Sequence, residues 1–121
     1  MYPEFIETPV FMRLADRLLS IEGRELATDL LVGAPESGRV IPDSGGLRKI
    51  RLRRPGRGKR GGPRLIYALP HGGTRIYLVF LYAKSEKTEL SRAQVRALGR
   101  TVDELNQEFR RPRSGDKQGD S

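Results

Sequence analysis

A nearly continuous apolar run in the second half of the chain limits the possible folds more than any other feature. Between Arg75 and Ala83 the sequence reads Ile-Tyr-Leu-Val-Phe-Leu-Tyr, without a charged residue to mark a solvent-facing side. A run of this length, rich in β-branched and aromatic residues, predicts a strand that is buried on both faces. We therefore expect a sheet built around this segment, with the segment at its centre.

Helical periodicity lies toward the two ends of the chain. Residues 9–19 carry apolar side chains at three- and four-residue spacing, behind a Thr-Pro pair that is typical of a helix start. Ser20 is a suitable cap for a second helix, which the Gly-Ala-Pro sequence at 33–35 ends. A third helix is predicted to begin near Ser91, because a glutamine three residues later completes a capping box.

The remaining periodic segments predict strands. Residues 5–7 form a short first strand, an alternating segment begins at Leu47, and residues 64–69 precede the hairpin turn that leads into the apolar run. The order β-α-α-β-β-β-α is typical of an α+β fold, here a small, mainly antiparallel sheet of about four strands with the helices to one side. We expect one domain over residues 1–111 and a disordered tail at 112–121, which has no apolar anchor.

Charge is segregated along the chain, whose net charge is +8. Residues 1–43 carry four basic and eight acidic side chains, whereas residues 44–85 carry eleven basic and no acidic ones. Such segregation predicts a polyanionic partner, because each cation that meets a phosphate releases condensed counterions. A membrane surface fits less well, since the helices lie mostly outside the basic segment.

The alternating strand divides the basic segment into two sides. Ile50 and Leu52 are predicted to face the core, while Lys49, Arg51 and Arg53 face solvent. The segment that follows, Arg-Pro-Gly-Arg-Gly-Lys-Arg-Gly-Gly, cannot form a core and is expected to be a mobile loop. The sequence thus predicts a cationic strand face beside a cationic loop.

Several chemistries are missing from the sequence. There is no cysteine, the one histidine is His71 in a Pro-His-Gly-Gly turn, and no Walker or dinucleotide motif occurs. The basic segment has no pair of carboxylates, so neither a metal centre nor a cofactor is expected. A cytoplasmic location and no membrane partner are expected, because no apolar run is long enough to span a bilayer.

RNA cleavage is a reaction that Lys and Arg can support, because RNA supplies its own nucleophile in the 2′-hydroxyl beside the scissile phosphate. The enzyme aligns the backbone and neutralises developing charge, and guanidinium groups match phosphate oxygens in pairs. Lys49, Arg51 and Arg64 are predicted on neighbouring strands that flank one loop, where they can surround one phosphate. The alternative is a solvated basic face that binds RNA without cleaving it.

Three segments together resemble the RelE/HigB toxins of type II toxin–antitoxin systems, most closely the HigB branch. They are Gly-Gly-Leu-Arg-Lys-Ile-Arg at 45–51, the glycine-rich loop with the following Arg-Leu-Ile-Tyr at 56–67, and Tyr-Ala-Lys-Ser-Glu at 82–86. The likeness extends from about Phe5 to Leu98. It implies the RelE-like fold, in which two N-terminal helices and a C-terminal helix pack on the sheet.

The resemblance also implies a function: cleavage of mRNA in the A site of the 70S ribosome by 2′-hydroxyl attack without a metal, which inhibits translation. The implied partners are a cognate antitoxin, typically a helix-turn-helix DNA-binding protein, and operator DNA through that antitoxin alone. Carried over position by position, the catalytic residues are Arg64, Lys49, Arg51 and Lys84. The predicted RNA contacts are Arg48, Arg53, Arg54, Arg57, Lys59, Arg60, Lys87 and Tyr82.

The sequence departs from the RelE pattern at the arginine and the catalytic tyrosine that the family places beyond the last strand. Ser85 and Ser91 occupy the nearest positions, and no tyrosine follows Tyr82. Tyr67 and Tyr82 are candidates for stacking on a base, although tyrosines in strands are more often core residues. Two further interpretations stay open, a non-catalytic RNA- or ribosome-binding protein and a degenerate toxin kept for antitoxin or operon control.

Overall fold

The computed structural model describes residues 2–56, 62–70, 74–86 and 89–110, which form five strands and three helices. In chain order these are β1 (Glu4–Glu7), α1 (Pro9–Leu18), α2 (Ile21–Gly33), β2 (Arg39–Val40), β3 (Leu47–Arg51), β4 (Arg64–Ala68), β5 (Arg75–Tyr82) and α3 (Arg92–Arg110). The predicted segments occur within a residue or two of their expected bounds, and the α+β class is confirmed. None of these described helices combines the length and apolar character that crossing a bilayer requires. The predicted tail at 112–121 lies outside the described residues.

The strands form one sheet in the order β1-β5-β4-β3-β2, so the apolar run of β5 lies inside the sheet, between β1 and β4. Neighbouring strands are antiparallel except β1 and β5, which are parallel. The sheet has one strand more than the about four that the sequence predicts. The additional strand is β2, in which Arg39 and Val40 pair with Lys49 and Arg48 of β3. Two residues are too few for an alternating pattern, so the sequence does not reveal β2.

Helices cover both faces of the sheet, and the prediction that they lie to one side was wrong. Successive residues of β4 show this, because Leu65 and Tyr67 pack with residues of α1 and α2, whereas Ile66 and Ala68 pack with residues of α3. The physical reason is the apolar run itself, since a strand without a polar face needs cover on both sides. The two sides are called the α1/α2 face and the α3 face below.

A β-bulge interrupts the pairing of β4 with β5 at Val79. The residues on either side of Val79 pair with consecutive residues of β4, so Val79 has no partner on that strand. The extra residue reverses the side to which later side chains point, and Phe80 and Tyr82 accordingly pack on the α3 face. The Val79 carbonyl accepts a hydrogen bond from the buried Thr8 hydroxyl at 2.8 Å, which satisfies it where the ladder is interrupted.

Side-chain caps begin the helices as the sequence predicts. Thr8 and Ser20 each accept a hydrogen bond from an amide in the first turn of α1 and α2. At the start of α3, the backbone N–H of Gln94 donates to Ser91 Oγ at 3.1 Å, and the backbone N–H of Ser91 donates to Gln94 Oε1 at 2.8 Å. This is the predicted capping box, and the apolar stripe that follows it packs on the α3 face.

Gly99 allows α3 to approach the loop that precedes β3. A Cβ at this position would lie 2.8 Å from the Ser44 carbonyl oxygen, a backbone atom that cannot rotate away. Gly99→Ala should therefore lower the free energy of unfolding by about 1–3 kcal/mol, although alanine by itself favours a helix by about 1 kcal/mol. Urea unfolding of the purified variant measures the change.

The control for this substitution is Gly33→Ala, at the end of α2, where nothing lies within 4 Å of the added Cβ. Here only the helix preference acts, so the free energy of unfolding should rise by up to about 1 kcal/mol. A rise in stability for both variants would contradict the close approach of α3 at Gly99.

Candidate nucleic-acid interface

Three cationic side chains share the α3 face of the sheet. Arg51 of β3 pairs with Arg64 of β4, and side chains directly opposite each other in such a pair are about 5 Å apart at Cβ. Lys49 lies two residues before Arg51 on the same face, about 7 Å along the strand. We call Lys49, Arg51 and Arg64 the cationic patch, and its size suits one phosphodiester group.

The cationic patch has no ion-pair partner within the part of the chain that the structure describes. The salt bridges found there belong to other arginines, on α1, α2 and β5. Arg51 is exposed, and Lys49 and Arg64 are half-buried. Across the same described ranges, no three His, Asp or Glu side chains come together in a group that could hold a metal ion. The patch therefore offers an anion three positive charges that no salt bridge of the described residues neutralises.

Arg64 is the member of the patch whose side chain is held in place. Its Nη1 donates a hydrogen bond of 2.7 Å to the Gly62 carbonyl oxygen, at the end of the glycine-rich loop. Across the β4–β5 pairing, Arg64 lies directly opposite Tyr82. A guanidinium that is already oriented loses less conformational entropy when it binds a phosphate in bidentate fashion.

Tyr82 combines deep burial with an unsatisfied hydroxyl. Its side chain is on the α3 face beside Arg64, the residue is 3% exposed, and its hydroxyl has no hydrogen-bond partner among the described residues. Burial raises the pKa of the Tyr82 phenol, while the positive charge of Arg64 lowers that pKa and the negative charge of Glu89 raises it. Neither the ring nor the hydroxyl of Tyr82 is open to solvent, so stacking on a base or proton transfer to RNA requires the residues that cover Tyr82 to move.

Two residues considered for RNA contacts have other partners on the α1/α2 face. Arg48 Nη1 donates to the carbonyl oxygens of Glu36 at 3.0 Å and Gly38 at 2.8 Å. Tyr67 is fully buried, and its hydroxyl donates to the Pro35 carbonyl at 2.7 Å and accepts from the Gly38 amide at 2.8 Å. Tyr67 is thus a core residue, and Arg48 holds the loop between α2 and β2 on the side opposite the cationic patch.

The other predicted contacts lie at the rim of the sheet or outside the described residues. Arg53 and Arg54 come after the end of β3, are exposed and line a shallow groove beside the junction of α1 and α2. Lys84 is exposed in the turn after β5. Outside the described residues lie Arg57, Lys59, Arg60, His71 and Lys87, with most of the loop and the hairpin turn that the sequence predicts.

A groove of about 330 Å³ opens beside the cationic patch and shares Lys49 with it. Its lining comes from β2, the residues after β2, β3, the segment that leads into α3, and the first turn of α3. These residues are Arg39, Val40, Ile41, Pro42, Lys49, Glu89, Leu90 and Val95. The sequence gives no sign of this groove, because it depends on the pairing of the two-residue strand β2 with β3.

Comparisons with known proteins cover most of the chain. Residues 7–110 match a family model described as the RelE toxin of the RelE/RelB toxin–antitoxin system. The structure is similar to a double arginine mutant of the E. coli toxin RelE in the free state, with a TM-score of 0.56 at 14% sequence identity, over 84% of this chain and 98% of that one. A crystal structure of the isolated E. coli RelE toxin gives a TM-score of 0.46 at 21% identity, over 82% and 98% of the two chains. At such identity the first of these similarities shows a shared fold.

Proposed function

The chain belongs to the RelE toxin family, and from this membership and the cationic patch we propose that it is an endoribonuclease that cleaves mRNA in the ribosomal A site. In this proposal the toxin acts in the cytoplasm, inhibits translation and is neutralised by a cognate antitoxin. The proposed antitoxin is a helix-turn-helix protein, through which alone the toxin meets operator DNA. The finer assignment to the HigB branch rests on the glycine-rich loop and the Arg-Leu-Ile-Tyr sequence after it.

The observation that supports cleavage most directly is the arrangement of Lys49, Arg51 and Arg64 around a single site. Three cations on adjacent strands face the same side, lack acidic partners among the described residues, and include one guanidinium already fixed by a backbone carbonyl. A surface that only attracts RNA does not require this convergence, because scattered charges serve equally well. Convergence on one phosphate is what stabilisation of a pentacovalent phosphorane requires.

The reaction proceeds by attack of the 2′-oxygen on phosphorus, which forms a 2′,3′-cyclic phosphate and breaks the bond to the 5′-oxygen. Arg51 and Arg64 bind the non-bridging oxygens, where negative charge increases. Guanidinium groups do not release protons and therefore cannot serve as bases, so the proton of the 2′-hydroxyl is assigned to Lys49. Only the free amine of Lys49 can accept this proton, and the ammonium that results is the third positive charge beside the phosphorane. The proton for the departing 5′-oxygen is assigned to the Tyr82 phenol, which is buried in the free protein and has to be exposed when RNA binds. Lys84, two residues further on, adds positive charge for the RNA backbone.

The chemical ends of the products test this mechanism. Purified protein is mixed with 70S ribosomes that carry a pool of messages with random A-site codons, and the fragments are sequenced after end-specific ligation. We expect 5′-hydroxyl and 2′,3′-cyclic phosphate ends, no cutting without ribosomes, and no cutting when the nucleotide before the cut is 2′-deoxy. A metal-dependent nuclease would leave 5′-phosphates. Messages that stay intact while the protein binds ribosomes would favour the non-catalytic alternative.

A further inference from the structure

The groove beside the cationic patch has a lining that a phosphate does not need. Five of the residues around it are apolar, and one, Glu89, is acidic. A carboxylate repels an RNA backbone, and apolar walls contribute nothing to binding a phosphate. Mixed lining of this kind matches a flat group with apolar faces and a polar edge, which is the chemistry of a nucleobase.

We propose that this groove binds a base of the RNA whose phosphate lies on the cationic patch, and that Glu89 selects bases with an exocyclic amino group. The proposal rests on the proposed function, since it assumes RNA as the ligand. Val40, Ile41 and Pro42, from β2 and the residues after it, and Leu90 and Val95, from the start of α3 and the residues before it, supply apolar contacts for the base.

The geometry connects the groove to the reacting phosphate through two residues. Lys49 belongs to the cationic patch and also lines the groove, and it pairs with Arg39, another lining residue, across β2 and β3. Glu89 lies close enough to Tyr82 for its negative charge to act on the phenol. A base in the groove is therefore attached to the phosphate that the patch binds, or to the next one.

Selectivity follows from the fact that a carboxylate only accepts hydrogen bonds. Adenine, cytosine and guanine each present amino hydrogens to such an acceptor. Uracil instead presents a single N–H between two carbonyl oxygens, which repel the carboxylate. Arg39 and Lys49 can donate to ring nitrogens or carbonyl oxygens of the same base. The hydrogen-bonding edge of uracil should therefore lower the affinity of the groove for that base at least about fivefold. This factor is the lower end of the discrimination that one side chain gives.

Binding of short RNA that cannot be cut tests the groove independently of cleavage. The full chain, labelled at Val, Leu and Ile methyl groups, is titrated with 2′-O-methyl trinucleotides that differ at one position, and methyl NMR shifts are followed. We expect the methyl signals of Val40, Leu90 and Val95 to shift, with uracil bound at least about fivefold more weakly than the other bases. Glu89→Gln, whose amide can also donate to uracil, should remove this difference.

Glu104→Gln is the matched control, because it removes the same charge from an exposed position on α3 away from the groove. It should keep the discrimination of the unmodified protein. A second variant, Val40→Ser, changes an exposed side chain of β2 and should weaken the four trinucleotides about equally. Val40 and Val95 signals that do not move with any trinucleotide, or equal affinities for the four bases, overturn the groove proposal. Cleavage of mRNA on ribosomes is measured in parallel, and its presence or absence tests the proposed function independently of base binding in the groove.

Discussion

Arg64→Ala should reduce the rate of mRNA cleavage on ribosomes by about 10²–10³-fold, the usual loss when one preorganised donor to a reacting oxyanion is removed. Arg64 lies opposite Arg51 and Tyr82 in the pairing of adjacent strands, and its Nη1 is held by the Gly62 carbonyl. The free energy of unfolding should fall by no more than about 1 kcal/mol, because one hydrogen bond of a half-buried side chain is lost. Single-turnover cleavage and urea unfolding of the same sample measure the two quantities.

Two variants separate the role of Arg64 from loss of charge alone. Arg13→Ala removes an equal charge from the exposed side of α1, on the opposite face of the sheet, and should leave the cleavage rate unchanged. Arg64→Lys keeps the charge but loses the planar pair of donors, so its rate should lie between those of the alanine variant and the unmodified protein. Full activity of Arg64→Ala would exclude this residue from the reaction.

The sheet could be predicted from the sequence because its strands carry strong local patterns. The apolar run that became β5 required two covered faces, and the alternation that became β3 separated Lys49 and Arg51 from Ile50. These patterns depend on burial of single residues and not on what the strands pair with. The same alternation places Arg48 on the side of Ile50, a signal that argues against the RNA contact predicted for it.

The features that complete the site depend on how the strands pair, and the local periodicity of the sequence does not predict strand pairing. The bulge at Val79 moves Tyr82 to the α3 face, whereas strict alternation places it on the other face. The two-residue strand β2 brings Arg39 next to Lys49, and the groove that reaches Glu89 exists only with that contact. A residue of the N-terminal part, Thr8, supports the bulge through the Val79 carbonyl. Such contacts between distant segments are visible only in three dimensions.

Tyr82→Phe should have opposite effects on activity and stability. If the phenol donates the proton to the 5′-oxygen, its removal should slow cleavage by about 10²–10⁴-fold, the usual contribution of a general acid. The hydroxyl is buried and has no partner among the described residues, so it is desolvated without compensation. Phenylalanine avoids this cost, and the free energy of unfolding should rise by about 1 kcal/mol. Single-turnover cleavage and urea unfolding measure both effects.

Tyr67→Phe is the control that shows whether the changes in cleavage rate and stability are specific to Tyr82. It removes the same hydroxyl from a tyrosine that is equally buried but lies on the α1/α2 face, where the hydroxyl bonds the Pro35 carbonyl and the Gly38 amide. Stability should therefore fall by about 1–3 kcal/mol, because the buried Gly38 amide and the partly buried Pro35 carbonyl lose their partner. The cleavage rate of the folded protein should stay unchanged. If the Tyr82 hydroxyl serves the reaction, its retention at a cost to stability is explained. A Tyr82→Phe variant that is more stable and equally active would remove Tyr82 from the mechanism.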